Sequence, residues 1–183
     1  MTANVLAVGG SLGEHSFTRQ ALDRAVSAAG ADAEQLDLRE FDLPVYDSDR
    51  RNAGDADAFR ARVRAADGVL LGTPVYHGTY SSALKAALDY CGFDEFEATP
   101  VGLLAVAGGR FPGATLAHLR ETCRVLHADV LAHQVALPQA KNVISDGEFV
   151  DEEYADRVDE LGRRVVQAAR RRDAVAADAP TRG

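Results

Sequence analysis

Short, continuous apolar runs alternate along the chain with stretches in which apolar residues recur every three or four positions. Val5 to Val8 is the first run and ends on Gly9-Gly10-Ser11; beyond it Phe17, Ala21, Leu22, Ala25 and Val26 fall on one helical face. Ala33 to Leu38 is a weaker second strand. Gly68 to Thr73, Val101 to Val106 and Val130 to Leu137 read as three more. Between and after them, helices are predicted from Ala56 to Ala66 with Phe59 and Val63 inward, and from Ser82 to Tyr90 on Leu84 and Leu88. Two more follow the stripes Leu116, Leu119, Cys123, Leu126 and Tyr154, Val158, Leu161, Val165. The stretch from Glu40 to Asp55, with Pro44, Asn52, Gly54 and several aspartates, reads as a long connection. Strand followed by helix, repeated, is the pattern of βαβ crossovers: an α/β domain with a parallel sheet and helices on both faces.

At 183 residues the chain fits one domain, able to bury roughly 70% of the surface that its unfolded form exposes. That domain is expected over residues 1–172, with Asp173 to Gly183, rich in Ala and Asp, as a flexible tail. The formal charge of −8 argues against general nucleic-acid binding, and the one basic cluster, Arg170 to Arg172, reads as solvated charge in the last turn of a helix. Lysine is scarce, two against eighteen arginines, which bears on origin and solubility more than on chemistry. Cys91 and Cys123 are too far apart for a Cys-x-x-Cys motif and are expected as buried, reduced thiols. Neither a leader nor a run of roughly 18 apolar residues is present, so the protein is expected to be cytoplasmic, with no membrane partner.

In an open α/β sheet the ligand sits beyond the carboxyl ends of the strands, and three loops follow strands here. The first, Gly9 to Thr18, leads into a helix N-terminus, where unpaired amides and the helix dipole favour an anion; Ser11, Ser16 and Thr18 add hydroxyls. It is neither Gly-x-x-x-x-Gly-Lys-Ser/Thr nor Gly-x-Gly-x-x-Gly, so it suits a single phosphate held by neutral donors. The second is Thr73 to Ser81, in which Pro74 ends the strand and Gly78 permits positive φ, leaving Tyr76 and His77 to cover the edge of a flat ligand while backbone amides bond its rim. The third, Ala107-Gly108-Gly109-Arg110, offers bare amides and a cation. Each loop taken alone reads equally well as an ordinary turn or helix cap.

Together the motifs resemble a known family. Gly10-Ser11-Leu12 with Ser16, then Leu43-Pro44-Val45-Tyr46-Asp47, Ala66-Asp67-Gly68, Thr73 to Thr79 and Ser82 to Asp89 are similar, in order and spacing, to the NAD(P)H-dependent FMN reductases. The resemblance runs through Gly113 and implies a flavodoxin-like three-layer sandwich, its five-stranded parallel sheet in the order 2-1-3-4-5. It implies FMN as cofactor and NAD(P)H as electron donor, with a homodimer or homotetramer as the assembly. By position, Ser11, Leu12, Ser16, Phe17 and Thr18 would surround the FMN phosphate. Pro74, Val75, Tyr76, His77, Gly78 and Thr79 would line the isoalloxazine ring, and Ala107, Gly108, Gly109 and Arg110 its pyrimidine side. The chain departs from many relatives at Gly13, where they carry a basic residue, at Thr18, and at Val75-Tyr76-His77.

His15 lies in the phosphate loop, whereas His118, His127 and His133 show no compact metal spacing and no Ser/His/Asp or paired-carboxylate arrangement stands out. A flavin enzyme needs none, since the ring carries the electrons. The leading expectation is therefore an FMN-dependent NAD(P)H oxidoreductase without a catalytic side chain, reducing a small flavin, quinone or azo-type acceptor. The alternative is an FMN electron carrier or redox-responsive module that oxidises NAD(P)H poorly.

Overall fold

The computed structural model of the chain describes residues 3–30 and 32–178. Five strands, β1 (Val5–Gly9), β2 (Ala33–Asp37), β3 (Gly68–Pro74), β4 (Pro100–Val106) and β5 (Asp129–Leu137), form one parallel sheet in the order β2-β1-β3-β4-β5. This is the expected order. The connecting helices are α1 (Phe17–Ala29), α2 (Ala56–Arg64), α3 (Ser82–Asp89), α4 (Phe93–Phe96), α5 (Gly113–Val125), α6 (Ala140–Val143) and α7 (Glu152–Asp178). A short antiparallel pair, β6 (Ile144–Ser145) and β7 (Glu148–Phe149), lies between the last two.

Successive residues of the central strands point to opposite faces, and the two cores follow that period of two. Leu6, Val8, Val69, Leu71, Val101, Leu103 and Ala105 pack with Phe59 and Val63 of α2, Leu84 and Leu88 of α3, and Leu116, Leu119 and Cys123 of α5. Val5, Ala7, Leu70, Leu104 and Val106 face the other way, onto Leu22 and Ala25 of α1 and Val158, Leu161 and Val165 of α7. Because β3 and β4 are buried at every position, their sequence is uniformly apolar rather than alternating.

The element ends differ from the sequence reading by short steps with visible causes. The second strand stops at Asp37 because that carboxylate accepts the amide hydrogen of Arg39 (2.9 Å) and turns Leu38–Glu40 into a single 3₁₀ turn. The last helix does not end after the arginine cluster: it continues to Asp178, so residues 173–178 of the expected tail are helical. Residues 179–183 lie outside the described part. Within that helix Arg172 donates to Thr99 Oγ1 (3.1 Å) and lies 3.7 Å from the Asp67 carboxylate, so it ties α7 to the start of β4 rather than standing free in solvent.

Candidate functional site

Loop β1–α1 leaves the sheet between β1 and β3. The Gly10 amide donates to the Gly72 carbonyl (2.8 Å), and the Ser81 hydroxyl donates back to the Gly10 carbonyl (2.6 Å). A Cβ on Gly10 would stand 2.5 Å from Ser81 Oγ and 2.8 Å from Leu84 Cβ, so glycine is what allows this approach. The loop ends at Ser16, whose hydroxyl accepts from the Arg19 amide (3.1 Å) and caps α1. Beyond that cap, the amides of Phe17 and Thr18 have no acceptor among the described residues. Thr18 is only 2% exposed and lines the cleft.

Loop β3–α3 is braced by Thr73 and Ser81. Buried Thr73 accepts the Ser81 amide hydrogen on its hydroxyl (3.0 Å), and the Ser81 hydroxyl in turn accepts from the Leu84 amide (3.2 Å) to cap α3. At its tip the Tyr76 and Thr79 backbones exchange two hydrogen bonds of 3.0 and 3.2 Å. His77 and Gly78 between them both have positive φ, 51° and 84°, the geometry of a type I′ turn. Several amides of this loop are therefore already spent: Val75 donates to the Val106 carbonyl (2.9 Å) and Ser81 to the Thr73 hydroxyl, whereas the His77, Gly78 and Tyr80 amides have no acceptor among the described residues. The sequence reading expected backbone amides along the rim; those left free in this loop are these three. His118 Nδ1 of α5 sits 3.1 Å from the Thr79 hydroxyl and anchors the turn from outside.

Loop β4–α5 keeps more freedom. Ala107 donates to the Leu137 carbonyl (2.8 Å), while the amides of Gly108, Gly109 and Arg110 have no acceptor among the described residues. These segments enclose a cleft of about 530 Å³ at the carboxyl end of the sheet, within the usual range for a small-molecule site. Of the residues expected there, Ser11, Ser16, Phe17, Thr18, Pro74, Val75, Tyr76 and Gly108 line it, together with His15 and Val106. Ala107 is buried at the base; Leu12, His77, Gly78, Thr79, Gly109 and Arg110 belong to the same loops but stand outside the wall.

A fourth wall, Gln139 to Asn142, went unread in the sequence. It follows β5 directly, so the rule that picked out the other loops, ligand groups at strand carboxyl ends, also points to it. Gln139 takes a left-handed conformation (φ 47°, ψ 51°), and its amide donates to the Gly109 carbonyl (2.8 Å). The Ala140 amide donates to Ala107 (2.9 Å), which docks this segment onto loop β4–α5.

The thiols stand apart from this cleft. Both cysteines are free and buried, and desolvation pushes the Cys123 thiol up to about 12 and that of Cys91 higher still. A thiol protonated at neutral pH is a poor nucleophile.

Residues 3–142 match the model of the NADPH-dependent FMN reductases. The chain belongs to that family. It is an oxidoreductase that uses FMN and NAD(P)H, and the sheet order is that of the flavodoxin-like flavoenzymes. An FMN-dependent NADPH-azoreductase of Staphylococcus aureus (strain USA300) is 33% identical over 157 residues, 81% of this chain and 81% of that protein. One of Staphylococcus haemolyticus is 35% identical over 118 residues, 56% of this chain and 63% of that protein, so the second match spans less than two thirds of the relative. Among solved structures, FerB, a flavoenzyme NAD(P)H:(acceptor) oxidoreductase from Paracoccus denitrificans, superposes with a TM-score of 0.77 at 21% identity, covering 92% of this chain and 98% of that one. An azoreductase from Bacillus anthracis superposes at 0.61 with 16% identity over 93% of this chain and 100% of that one. At such identities these structures speak for the fold.

The residues present suit FMN. A helix N-terminus with two unpaired amides and the hydroxyl-bearing residues Ser11 and Thr18 on the cleft wall can receive a phosphate. The Pro74–Tyr76 edge is a surface for a flat ring, and the free amide of Gly108 can donate to a ring oxygen or nitrogen.

Proposed function

We propose that the cleft holds FMN with its phosphate at the start of α1 and its ring along loop β3–α3, and that the enzyme passes reducing equivalents from NAD(P)H to a small flavin, quinone or azo-type acceptor. The observation that carries this reading is the convergence of the free α1 amides, the Thr18 hydroxyl and the Pro74-Val75-Tyr76 wall on one cleft in a chain of this family. The names of the curated relatives support an azo-type acceptor among the substrates.

Ser11, Ser16, Phe17 and Thr18 bind the phosphate in this reading, Ser16 mainly by holding the helix end in place. Pro74, Val75 and Tyr76 present one side to the ring, and Gly108 contacts its polar edge. Leu12, His77, Gly78, Thr79, Ala107, Gly109 and Arg110 shape these loops and their mouth. FMN supplies the chemistry of accepting a hydride and returning electrons; the chain binds it, orients it and leaves one side open to donor and acceptor in turn. Tyr76 (54% exposed), Leu12 (54%), Val45 (88%) and Phe111 (87%) are large apolar side chains left in solvent. They support a homodimer or homotetramer, to be checked by sedimentation. No described helix is long and apolar enough to cross a membrane, and we place the enzyme in the cytoplasm.

The test is direct. The purified protein should be yellow or take up FMN, and anaerobic NADPH or NADH should bleach the flavin within seconds, a turnover time for an ordinary enzyme. Re-oxidation by a panel of flavins, quinones and azo dyes then identifies the acceptor. A colourless protein that ignores added FMN, or a yellow one that NAD(P)H does not bleach, would sink the reading.

A further inference from the structure

We propose that Lys141 is the cation that holds a phosphomonoester dianion in the cleft, the 5′-phosphate of FMN or the 2′-phosphate of NADPH; this rests on the reading of the cleft as the flavin site. The phosphate loop brings no arginine or lysine of its own to the cleft wall. Its nearest arginine, Arg19, turns its guanidinium onto the carbonyl oxygens of Gly13 (2.8 Å) and Glu14 (3.2 Å), so that charge braces the loop. Arg110 lies outside the wall. Among the described residues, Lys141 is the one lysine or arginine that lines the cleft, and no carboxylate lines it with Lys141.

Lys141 is also uncommitted. The chain's other lysine, Lys85, is paired with Asp89, whereas Lys141 has no ion-pair partner among the described residues. A surface lysine in a protein of net charge −8 ordinarily has acids to choose from. Its backbone is fixed, because Gln139 is held left-handed, an uncommon state for a non-glycine residue, by the bonds of Gln139 and Ala140 to loop β4–α5. The cleft thus sets neutral donors, the Phe17 and Thr18 amides and the Thr18 hydroxyl, on one wall and a compact ammonium on another. That combination matches a dianion better than a neutral hydroxyl, and a charge-assisted contact gives discrimination between the two.

The experiment compares phosphorylated and unphosphorylated partners in the wild type, K141M and K141R. Apoprotein is titrated with FMN and with riboflavin, following the quenching of flavin fluorescence. KM is then measured for NADPH and NADH on the reconstituted enzyme. K141M should weaken FMN about tenfold while riboflavin stays within about twofold, and K141R should restore most of the loss. If FMN is unaffected but KM for NADPH rises about tenfold with NADH unchanged, the phosphate belongs to the nicotinamide nucleotide and the proposal stands. It is overturned if neither pair is discriminated, or if riboflavin and NADH weaken as much as their phosphorylated counterparts. Wild-type protein that binds no FMN overturns the flavin-site reading as well, whereas FMN binding indifferent to Lys141, with NADPH equally indifferent, sinks this inference alone.

Discussion

Gly10 and Ser81, 71 positions apart, join the two loops that carry most of the cleft. The Ser81 hydroxyl caps α3 and at the same time holds the Gly10 carbonyl, and the Gly10 amide is fastened to the Gly72 carbonyl. Any movement of one loop is therefore felt by the other. Adding a methyl group at Gly10 forces it against Ser81 Oγ and Leu84 Cβ, both on a buried helix start that has little room to shift. Gly10→Ala is expected to lower stability by about 1–3 kcal/mol, the usual range for overpacking, and to weaken FMN binding at the same time because loop β1–α1 is displaced. Urea unfolding and a flavin titration check both effects; unchanged values for the pair would show that the loops are not joined as described. The sequence marked Gly10 and Ser81 as loop residues, but not their partnership. Long-range hydrogen bonds leave no periodic trace, and only the fold brings the two together.

Helices α1 and α7 meet on one face of the sheet at a distance that depends on Gly162. A Cβ there would overlap the carbonyl oxygen of Ala25 in α1, a backbone atom that cannot rotate away. Gly162→Ala gains intrinsic helix propensity worth up to about 1 kcal/mol, yet should still destabilise the protein, by about 1–3 kcal/mol net, because the two helices must separate. Chemical denaturation decides the sign, and a stabilised variant would mean that this packing is slack. The same contrast explains which elements could be read in advance. The helices α1, α2, α3, α5 and α7 bury a periodic apolar face and the central strands bury a continuous apolar run, and both patterns are visible in sequence. The four-residue helices α4 and α6 and the two-residue strands β6 and β7 are shorter than a period can be counted over, and they are set by tertiary contacts. That is why the Gln139–Asn142 wall, built around α6, was not anticipated although its neighbours were.

At the scale of the whole molecule, the cleft is made by segments from the ends of β1, β3, β4 and β5, with α1 closing one side. Residues as distant as Ser11 and Asn142 share it, so a ligand bound there links nearly the full width of the sheet. Binding must therefore report on folding as a whole: a ligand that recognises the native state and not the unfolded chain raises stability by RT ln(1 + [L]/Kd), about 2.7 kcal/mol at a hundredfold excess over Kd. For a domain of this size, that corresponds to a rise in melting temperature of roughly 5–10 °C. Apoprotein with saturating FMN should show a rise of that order. At the same concentration riboflavin, which lacks the phosphate, should give a smaller one, since it cannot use the α1 amides and the Thr18 hydroxyl. Differential scanning fluorimetry read at a wavelength clear of flavin emission, or calorimetry, measures the pair. Equal shifts with FMN and riboflavin would remove the phosphate from the binding energy and, with it, the role given to the start of α1.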